Sequence, residues 1–530
     1  SSTNNILLDG SKAALKRVLS LFMLSSEFHT NTLNSWKTTV RNGGNDIDSL
    51  GRPFKAVIVL FLAGAADSFN MLVPHSECDP SHDLNAEYKQ IRGTAALDKT
   101  ELLVIENDLD GTSKAQPCAK FGMHFKMTAI HDAYNAGDAA WIANMGSLVE
   151  PVTKQEYQDK SKALPPSLFA HNVMQKSVAT MHPQFSSASG ILGRMTKSMT
   201  SQSVNPYRSA LYSMAGVRSF LKSTYCLFFV CSGTFFSVSS LPAYVAHLFS
   251  LFFCPALFLF FFDLEKQEKI VQGGGEVNII SGKNGVVQFQ AYDKFHASID
   301  NLTKHESKSY MADTWSNSLR SSIESTEKLG EKLDAVTLDG ATFGDSDIEL
   351  QFKQIAKVIK MHRDSTIPLQ ERVERASFVA VKGGFDTHRD MLETLELRLT
   401  DINNALASFQ QEMKNQSAWD EVVIVTVSDF GRTLTNNGLG TDHAWGGNYF
   451  VMGGDLKGKR IHGKYPAKLG EENGEVNIGR GRILPTTSYN SLWLPIAEWY
   501  GILPEELKNI CPNYENFPNV LRKTDMFKAD

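Results

Sequence analysis

Cysteine is scarce in this chain. The 530 residues contain six cysteines and no CxxC pair, which excludes a disulfide-rich scaffold and a thiolate zinc ribbon. Three of the six lie in one apolar stretch, and Cys78 and Cys118 lie in ordinary sequence. These two are compatible either with a bridge in an oxidising compartment or with two buried free thiols.

A strong charge of either sign is also absent. Lys and Arg number 53 and Asp and Glu number 58, which gives a net charge of -5. Because no basic field covers the chain, we expect no nucleic-acid partner. Hydrophobic residues make up 42% and charged residues 21% of the sequence, and these ordinary values exclude wholesale disorder, a collagen-like chain and a multi-span membrane protein.

No secretory signal peptide is visible, and the first residue is Ser. We therefore expect the true start of the protein to be missing. Residues 5–29 have the pattern of an amphipathic helix, and a polar linker follows to residue 53. Together with the length, this predicts a helical tail and linker over residues 1–50 and a main domain over residues 51–530.

One segment differs from the rest in composition. Residues 226–262 contain no Asp, Glu, Lys or Arg and are rich in Phe, Ser and Leu, and they are numerous enough to span a bilayer. Pro242, Pro255 and the Ser-rich half argue against a transmembrane helix. They favour an apolar low-complexity insertion over residues 221–268, or non-coding sequence translated by a faulty gene model. Membrane contact is expected only through this segment.

Three short apolar runs without alternation are typical of parallel strands buried on both faces. The runs are residues 56–62, 378–381 and 422–427. Each is followed by an aspartate, in turn Asp67, Asp386 and Asp429. Because ligands bind at the carboxyl edge of an open α/β sheet, we expect these carboxylates to meet there. Taken singly, each Asp could instead form a turn or cap a helix.

A long helix is predicted between the second and third runs. Apolar residues recur every three or four positions from Leu392 to Met413, which forms one apolar stripe. A short coiled coil has the same stripe, but the flanking strands favour a crossover helix over residues 389–414. Further helices are predicted at 318–336 and 349–362, and further strands at 139–144 and 449–452. The predicted class is α/β, with a mainly parallel sheet sandwiched by helices.

The converging carboxylates repel one another unless a cation neutralises them. His388 follows Asp386 closely, and His443 lies in a glycine-rich loop. A mixed oxygen and nitrogen set suits a divalent metal rather than a thiolate-bound one. The predicted ligands are Asp67, Asp386, His388, Asp429 and His443, holding one or two ions that could be zinc, manganese, magnesium or calcium. Arg432 is predicted to clamp an anionic oxyacid, with a surface or helix-capping role as its alternative.

The order of these motifs resembles domain-of-unknown-function family 1501. The motifs are GAADSFN at 64–70, GGFDTH at 383–388, SDFGRT at 428–433, GTDH at 440–443 and the closing element at 482–501. The resemblance runs from about residue 54 to about residue 505, apart from the insertion. Because that family is grouped with the alkaline phosphatase and sulfatase superfamily, the resemblance implies an alkaline phosphatase-like fold with two metals.

The resemblance also assigns roles, with two departures. It makes Asp67 the first-strand ligand, Asp386 and His388 a ligand pair, and Asp429 and His443 the later ligands. Phe430 stands where the superfamily often has a histidine, and Phe169-Ala-His171 stands where the family commonly has Ser-His-Phe.

The nucleophile is therefore predicted to be Ser68 or water. Ser167, on the loop before His171, is the alternative. His171 is predicted to support the metal or bind the substrate, or else to be structural.

Residues 6–29 resemble the closing helices of domain-of-unknown-function family 1800, which implies the tail of an upstream helical domain. Bacterial relatives of the main domain tend to be exported, so an extracytoplasmic or secreted location is expected. The leading hypothesis is an exported metal-dependent hydrolase of phosphate or sulfate esters, with a small anionic ester as its substrate. The competing hypothesis is a non-catalytic exported binding or surface protein that retains the fold.

Overall fold

A computed structural model describes residues 36–40, 47–107, 116–184, 189–214, 270, 277–286, 292–307, 310–472 and 474–529. The chain divides into two compact units. One comprises residues 1–46 with 288–331, and the other comprises residues 47–287 with 332–530. In the first unit, two short strands pair in antiparallel fashion. The second unit contains the main sheet and all the predicted site residues. The boundaries predicted from the sequence stay a prediction.

The strands, numbered in chain order, are β1 Trp36–Val40, β2 Lys55–Ala63, β3 Leu72–Cys78, β4 Leu103–Glu106, β5 Cys118–Met123, β6 Ala139–Gly146, β7 Ser209–Ser213, β8 Asn278–Ser281, β9 Gly285–Val286, β10 His305–Ser307, β11 Arg375–Gly383, β12 Val422–Ser428, β13 Arg432–Asn436, β14 Thr441–His443, β15 Gly447–Met452, β16 Ile461–Gly463 and β17 Thr487–Ser488.

The helices are α1 Leu84–Arg92, α2 Thr128–Ala136, α3 Lys154–Asp159, α4 His171–Thr180, α5 Ile191–Thr200, α6 Tyr292–Thr303, α7 Tyr310–Asp334, α8 Asp347–Arg363, α9 Met391–Asn415, α10 Asn490–Tyr500, α11 Leu507–Ile510 and α12 Lys523–Met526.

The main sheet of the described residues has the strand order β16-β6-β15-β12-β2-β11-β7-β8-β9, and β17 pairs with β6. Strand β2 lies between β12 and β11 and is parallel to both. Strand β15 is antiparallel to β12 and to β6. The sheet is thus mixed but mostly parallel, and the predicted α/β class is confirmed.

Both faces of the central strands are covered. Val57, Val59 and Phe61 belong to a core cluster that includes residues of α5 and α10. The alternate side chains of the same strand, including Ile58 and Leu60, are equally buried, and alternate residues of a strand point to opposite faces. The uninterrupted apolar run therefore results from burial on both sides, as the sequence predicted.

The predicted crossover helix is confirmed as α9, which begins at Met391 and ends at Asn415. Its stripe is buried, including Leu395, Leu399 and Phe409. Phe409 meets Phe352 of α8 at 5.1 Å between ring centroids. Helix α8 begins where Ser346 and Glu349 form a capping box, which satisfies two backbone N–H groups at the helix start. The crossover links β11 to β12 across the intervening β2.

A small antiparallel sheet has the strand order β3-β5-β4. Cys78 of β3 and Cys118 of β5 face each other in this sheet and form a disulfide. Of the two alternatives that the sequence left open, the structure has the bridge. Strands β13 and β14 form a separate pair that begins at Arg432 and ends at His443.

Two predictions fall on residues that the structure does not describe. The amphipathic helix at 5–29, with its resemblance to family 1800, and the apolar segment at 226–262 both lie outside the described residues. Among the helices that are described, no stretch is both long enough and apolar enough to span a membrane.

Candidate metal centre

The carboxyl ends of the parallel strands bring the predicted aspartates to one edge of the sheet. Gly64 follows β2, and its backbone N–H donates to Asp429 Oδ1 at 3.3 Å. Asp429 itself follows β12 and is buried. Asp386 follows β11, and its side chain is 46% exposed. Asp386 therefore faces the opening of the site, whereas Asp429 lies beneath it.

Three donor atoms from separate elements surround one point. They are Nε2 of His171 at the start of α4, Oδ1 of Asp386, and Nε2 of His443 at the end of β14. His171 Nε2 lies 3.2 Å from His443 Nε2 and 3.6 Å from Asp386 Oδ1. His443 Nε2 lies 3.4 Å from the same oxygen. These three atoms form the cluster that we call the donor triangle.

In His171 and His443, the hydrogen bond of Nδ1 determines that Nε2 carries a lone pair in the neutral ring. His443 Nδ1 lies 2.7 Å from the carbonyl oxygen of Phe169, which can only accept, so Nδ1 carries the hydrogen. His171 Nδ1 lies 2.5 Å from the Asp429 carboxylate and donates in the same way. In the neutral rings both Nε2 atoms thus present lone pairs to each other at 3.2 Å. Such an arrangement requires a cation between them, either a proton or a metal ion.

The charges around the donor triangle also favour a bound cation. Burial disfavours the protonated form of His171, but the charges of Asp386 and Asp429 and the hydrogen bond to Asp429 outweigh burial and raise its pKa to about 9. Burial would raise the pKa of Asp386, yet the hydrogen bond from Arg432 and the nearby rings of His171 and His443 hold it far below the usual range. The cluster therefore keeps an ionised carboxylate and strongly attracts positive charge.

The donor triangle fits a divalent metal ion. Bonds of about 2 Å to a tetrahedral ion place its donors roughly 3.3 Å apart, and the triangle's edges are 3.2, 3.4 and 3.6 Å. Three protein donors leave a fourth position open, as in catalytic zinc sites. His388 Nε2 lies 3.0 Å from Asp386 Oδ1 and 3.1 Å from His443 Nε2. A second group, His388, Asp442 and His443, shares His443 with the triangle.

Asp429 hydrogen-bonds His171, one of the three residues of the donor triangle. Besides the His171 ring, its Oδ2 accepts a bond of 2.9 Å from Gln175 Nε2, one turn further along α4. The carboxylate thereby orients the imidazole and fixes which nitrogen carries the hydrogen. In this arrangement Asp429 contacts His171 rather than the centre of the triangle.

Among the described residues, Asp67 makes no hydrogen bond or ion pair with the donor triangle. Its Oδ2 accepts a bond of 2.7 Å from Arg92 Nη2, and both side chains are almost completely buried. Thr441 Oγ1 lies 3.5 Å from the same oxygen and 3.2 Å from Arg432 Nε. Asp67 Oδ1 is buried without a hydrogen-bond partner among the described residues. A guanidinium thus neutralises the carboxylate for which the sequence predicted a metal.

Arg432 was predicted to bind an anion and Ser68 to act as the nucleophile, but both side chains hydrogen-bond other groups of the protein. Arg432 is fully buried, donates to Asp386 Oδ1 at 2.6 Å, and also donates to the Thr441 carbonyl. The Ser68 hydroxyl is buried and accepts from the backbone N–H of Asn448 at 2.8 Å. Among the described residues, no hydrogen bond links Ser68 to the donor triangle. Ser167 is exposed, on the loop before His171, with a left-handed φ of 50°.

The sequence pointed to His388 and His443 as ligands, but it gave His171 a metal-supporting, substrate-binding or structural role. It did not point to Gln175, Arg92 or the Phe169 carbonyl. His171 follows no strand, so the rule of an aspartate after each apolar run could not find it. The signal that was available was the expected resemblance of Phe169-Ala-His171 to a Ser-His-Phe motif.

Comparison with solved structures finds remote similarity. One match is a crystal structure of Ps i-CgsB in complex with k-i-k-neocarrahexaose, with 11% sequence identity and a TM-score of 0.30. The match covers 87% of this chain and 77% of that chain. The lipoteichoic acid synthase LtaP from Listeria monocytogenes is 8% identical, with coverages of 88% and 76% and a TM-score of 0.31. No curated protein matches the chain. The chemistry of the site therefore rests on the residues described above.

One segment of the sequence matches a known family. Its matching segment contains Asp386, His388, Asp429, Arg432 and His443, and so includes most of the site. Over residues 369–478 the chain matches the family described as Protein of unknown function (DUF1501).

Proposed function

We propose that this protein is a metal-dependent hydrolase of phosphate or sulfate esters. The observation that carries the proposal is the pair of facing Nε2 atoms of His171 and His443 beside Asp386 Oδ1. This arrangement has donor spacing suited to a divalent ion and an open side. The exposed carboxylate of Asp386 gives a substrate access to that side.

A divalent ion bound at the triangle would polarise an ester oxygen and make a nearby water more acidic. The chain's own residues prepare the site for that ion. Asp429 and the Phe169 carbonyl hold the two histidine rings in the required tautomer. Arg432 fixes Asp386 from beneath, so Arg432 acts as a positioning residue in this proposal.

The surroundings of Ser68 favour water as the nucleophile. A serine nucleophile needs its hydroxyl at the reacting group and a base within reach. The Ser68 oxygen is buried against the Asn448 amide. The side chains of Asp386, His171 and His443 are 46%, 22% and 22% exposed, so the donor triangle is open to water.

The buried pair of Asp67 and Arg92 favours one ion rather than two. Arg92 supplies a permanent positive charge at the carboxylate that a second ion would need. The proposed active form therefore has one divalent ion per chain, bound by His171, Asp386 and His443 with His388 beside it. The donor set suits zinc or manganese.

We further propose that the protein works outside the cytoplasm. The disulfide between Cys78 and Cys118 supports this location, because disulfides persist in oxidising compartments and are rare in the cytosol.

Hydrolysis of aryl phosphates and aryl sulfates by metal-reconstituted protein tests the proposal. Asp386→Asn should lower the turnover of the best substrate by at least about 100-fold, since the donor triangle loses its only charged ligand. Asp98→Asn, in an exposed turn, is the matched control and should keep full activity. Metal binding without turnover of any substrate would favour the binding-protein hypothesis instead.

A further inference from the structure

Arg482 lies beside His443 at the rim of the donor triangle. Its Nε donates to the His443 carbonyl oxygen at 3.1 Å. Its guanidinium carbon lies 4.3 Å from the centroid of the Phe169 ring, within the range of a cation–π contact. The side chain is 23% exposed, so the guanidinium is held on two sides and still meets solvent.

Phe169 links Arg482 to the donor triangle. Its carbonyl accepts the hydrogen of His443 Nδ1, and its ring supports the arginine. Phe169 adopts a left-handed φ of 73°, which is uncommon for a bulky residue and persists only where surrounding contacts enforce it. One constrained residue therefore orients both a predicted metal ligand and a guanidinium.

Two buried arginines near the site, Arg432 and Arg92, already bind other side chains. Arg432 is fully buried, with its nitrogens on Thr441 and Asp386. Arg92 is fully buried on Asp67. Neither can meet an incoming anion without giving up a buried partner, which is costly.

Among the described residues, Asp442 is the acidic group that pairs with Arg482. Its Oδ2 lies 3.9 Å from Arg482 Nη2, which is beyond hydrogen-bond length. The same oxygen lies 2.9 Å from Nη2 of Arg480, so Arg480 offsets the charge of Asp442. The terminal nitrogens of Arg482 thus keep donor capacity, and the described residues provide no hydrogen bond for Nη1.

We propose that Arg482 is the anion-binding residue of the site and contacts two oxygens of a phosphate or sulfate group. This inference rests on the proposed function and gives it a substrate-binding residue. A planar guanidinium presents parallel N–H donors that match two oxygens of such a group. Arg480 supports it by neutralising Asp442.

Binding of inorganic phosphate and of inorganic sulfate to metal-reconstituted protein, measured by calorimetry, tests this role. Arg482→Gln should weaken binding of the preferred anion by roughly 10- to 100-fold, the usual effect of losing charge-assisted hydrogen bonds. Arg482→Lys, which keeps the charge but not the fork, should fall between Arg482→Gln and the wild type. Arg522→Gln makes the same charge change at α12 and should bind like the wild type. Metal content should be equal in all four proteins.

Unchanged anion affinity in Arg482→Gln at full metal content would overturn the inference. Loss of metal from folded Arg482→Gln would also overturn it, because Arg482 would then support His443 rather than the substrate. Failure of the proposed function appears differently, as wild-type protein that binds no metal or turns over no ester. If Arg482→Gln does not fold, the anion affinity of Arg482→Lys is compared with that of the wild type. Equal affinities would contradict the anion-binding role of Arg482.

Discussion

The short bond from His171 Nδ1 to Asp429 Oδ2 sets the tautomer of His171. An amide at position 429 would remove the charge and could present an N–H group to the ring, so the imidazole would lose its fixed tautomer. We predict that Asp429→Asn lowers metal affinity by about 10- to 100-fold while leaving the donor triangle in place. Competition with a coloured chelator measures that affinity.

Asp364→Asn is the matched control for this prediction, because the Asp364 side chain is exposed and, among the described residues, hydrogen-bonds only Thr366. Its metal affinity should equal that of the wild type. Equal affinity in Asp429→Asn as well would mean that Asp429 does not orient His171.

Asp67 provides a second prediction for a single residue. Because Arg92 is fully buried beside it, Asp67→Asn leaves a buried charge without its counter-ion and should lower the free energy of unfolding by about 3 kcal/mol. Metal content should not change, since Arg92 rather than a metal neutralises this carboxylate. Denaturant unfolding and metal analysis of the same sample measure both effects.

The double variant Asp67→Leu, Arg92→Met removes both charges and should recover much of that stability. If Asp67→Asn instead retains its stability and loses metal, Asp67 is a ligand, as the sequence suggested.

At the scale of elements, the turn after β2 packs against the loop that contains Asp386. Gly64 has a φ of +108°, and a Cβ there would lie 2.6 Å from the backbone nitrogen of Asp386. We therefore predict that Gly64→Ala lowers the free energy of unfolding by at least about 2 kcal/mol, through backbone strain and the clash together. It should also weaken metal binding, since Asp386 must move.

Gly137 is the matched control for that turn. It also has a positive φ, of +86°, but a Cβ there would meet nothing within 4 Å. Gly137→Ala should therefore cost only about 1 kcal/mol and leave metal binding unchanged. Equal costs for the two variants would show that the contact with Asp386 does not matter. Thermal unfolding with and without metal distinguishes these outcomes.

The sequence predicted those strands and helices whose buried faces produce a recognisable pattern of apolar residues. The runs at 56–62, 378–381 and 422–427 became β2, β11 and β12 because both faces of each strand are covered. The stripe at 389–414 became α9 because one side of that helix is buried. Such patterns are visible in the sequence alone.

What the sequence could not provide is contact between distant segments. No single segment of the sequence indicates that β2 lies between β11 and β12, or that β15 runs antiparallel to its neighbours. The bonds of His171 to Asp429 and of Arg92 to Asp67 each join separate loops. Strand ends identified Asp386 as a site residue, but only the fold shows that Arg92 neutralises Asp67 and that His171 completes the donor triangle.

For the whole molecule, buried neutral histidines predict lower stability in acid. Burial, with Lys332 and Arg208 nearby, lowers the pKa of His362 to about 3, and burial lowers the pKa of His124 and of His182 to about 4. Below the ordinary value near 6.5, the unfolded chain binds protons that the folded chain does not. The free energy of unfolding should therefore fall as the pH falls from about 6.5 towards 4.

His362→Gln tests the largest of these contributions. The glutamine oxygen can still accept from the Tyr212 hydroxyl, which bonds His362 Nε2 at 2.6 Å. We expect the slope of unfolding free energy against pH between 6.5 and 4 to decrease by up to about 1.4 kcal/mol per pH unit. An unchanged slope in urea unfolding series would mean that His362 titrates normally in the folded protein.

The number of divalent ions per chain tests the central claim most directly. After chelation, reconstitution with zinc or manganese and removal of excess ion, elemental analysis should find one ion per chain in the wild type. The same should hold for His131→Ala, a surface histidine of α2. His443→Ala, which removes one corner of the donor triangle, should retain almost none. Two ions per wild-type chain, or equal content in His443→Ala and wild type, would contradict a single metal centre built on His171, Asp386 and His443.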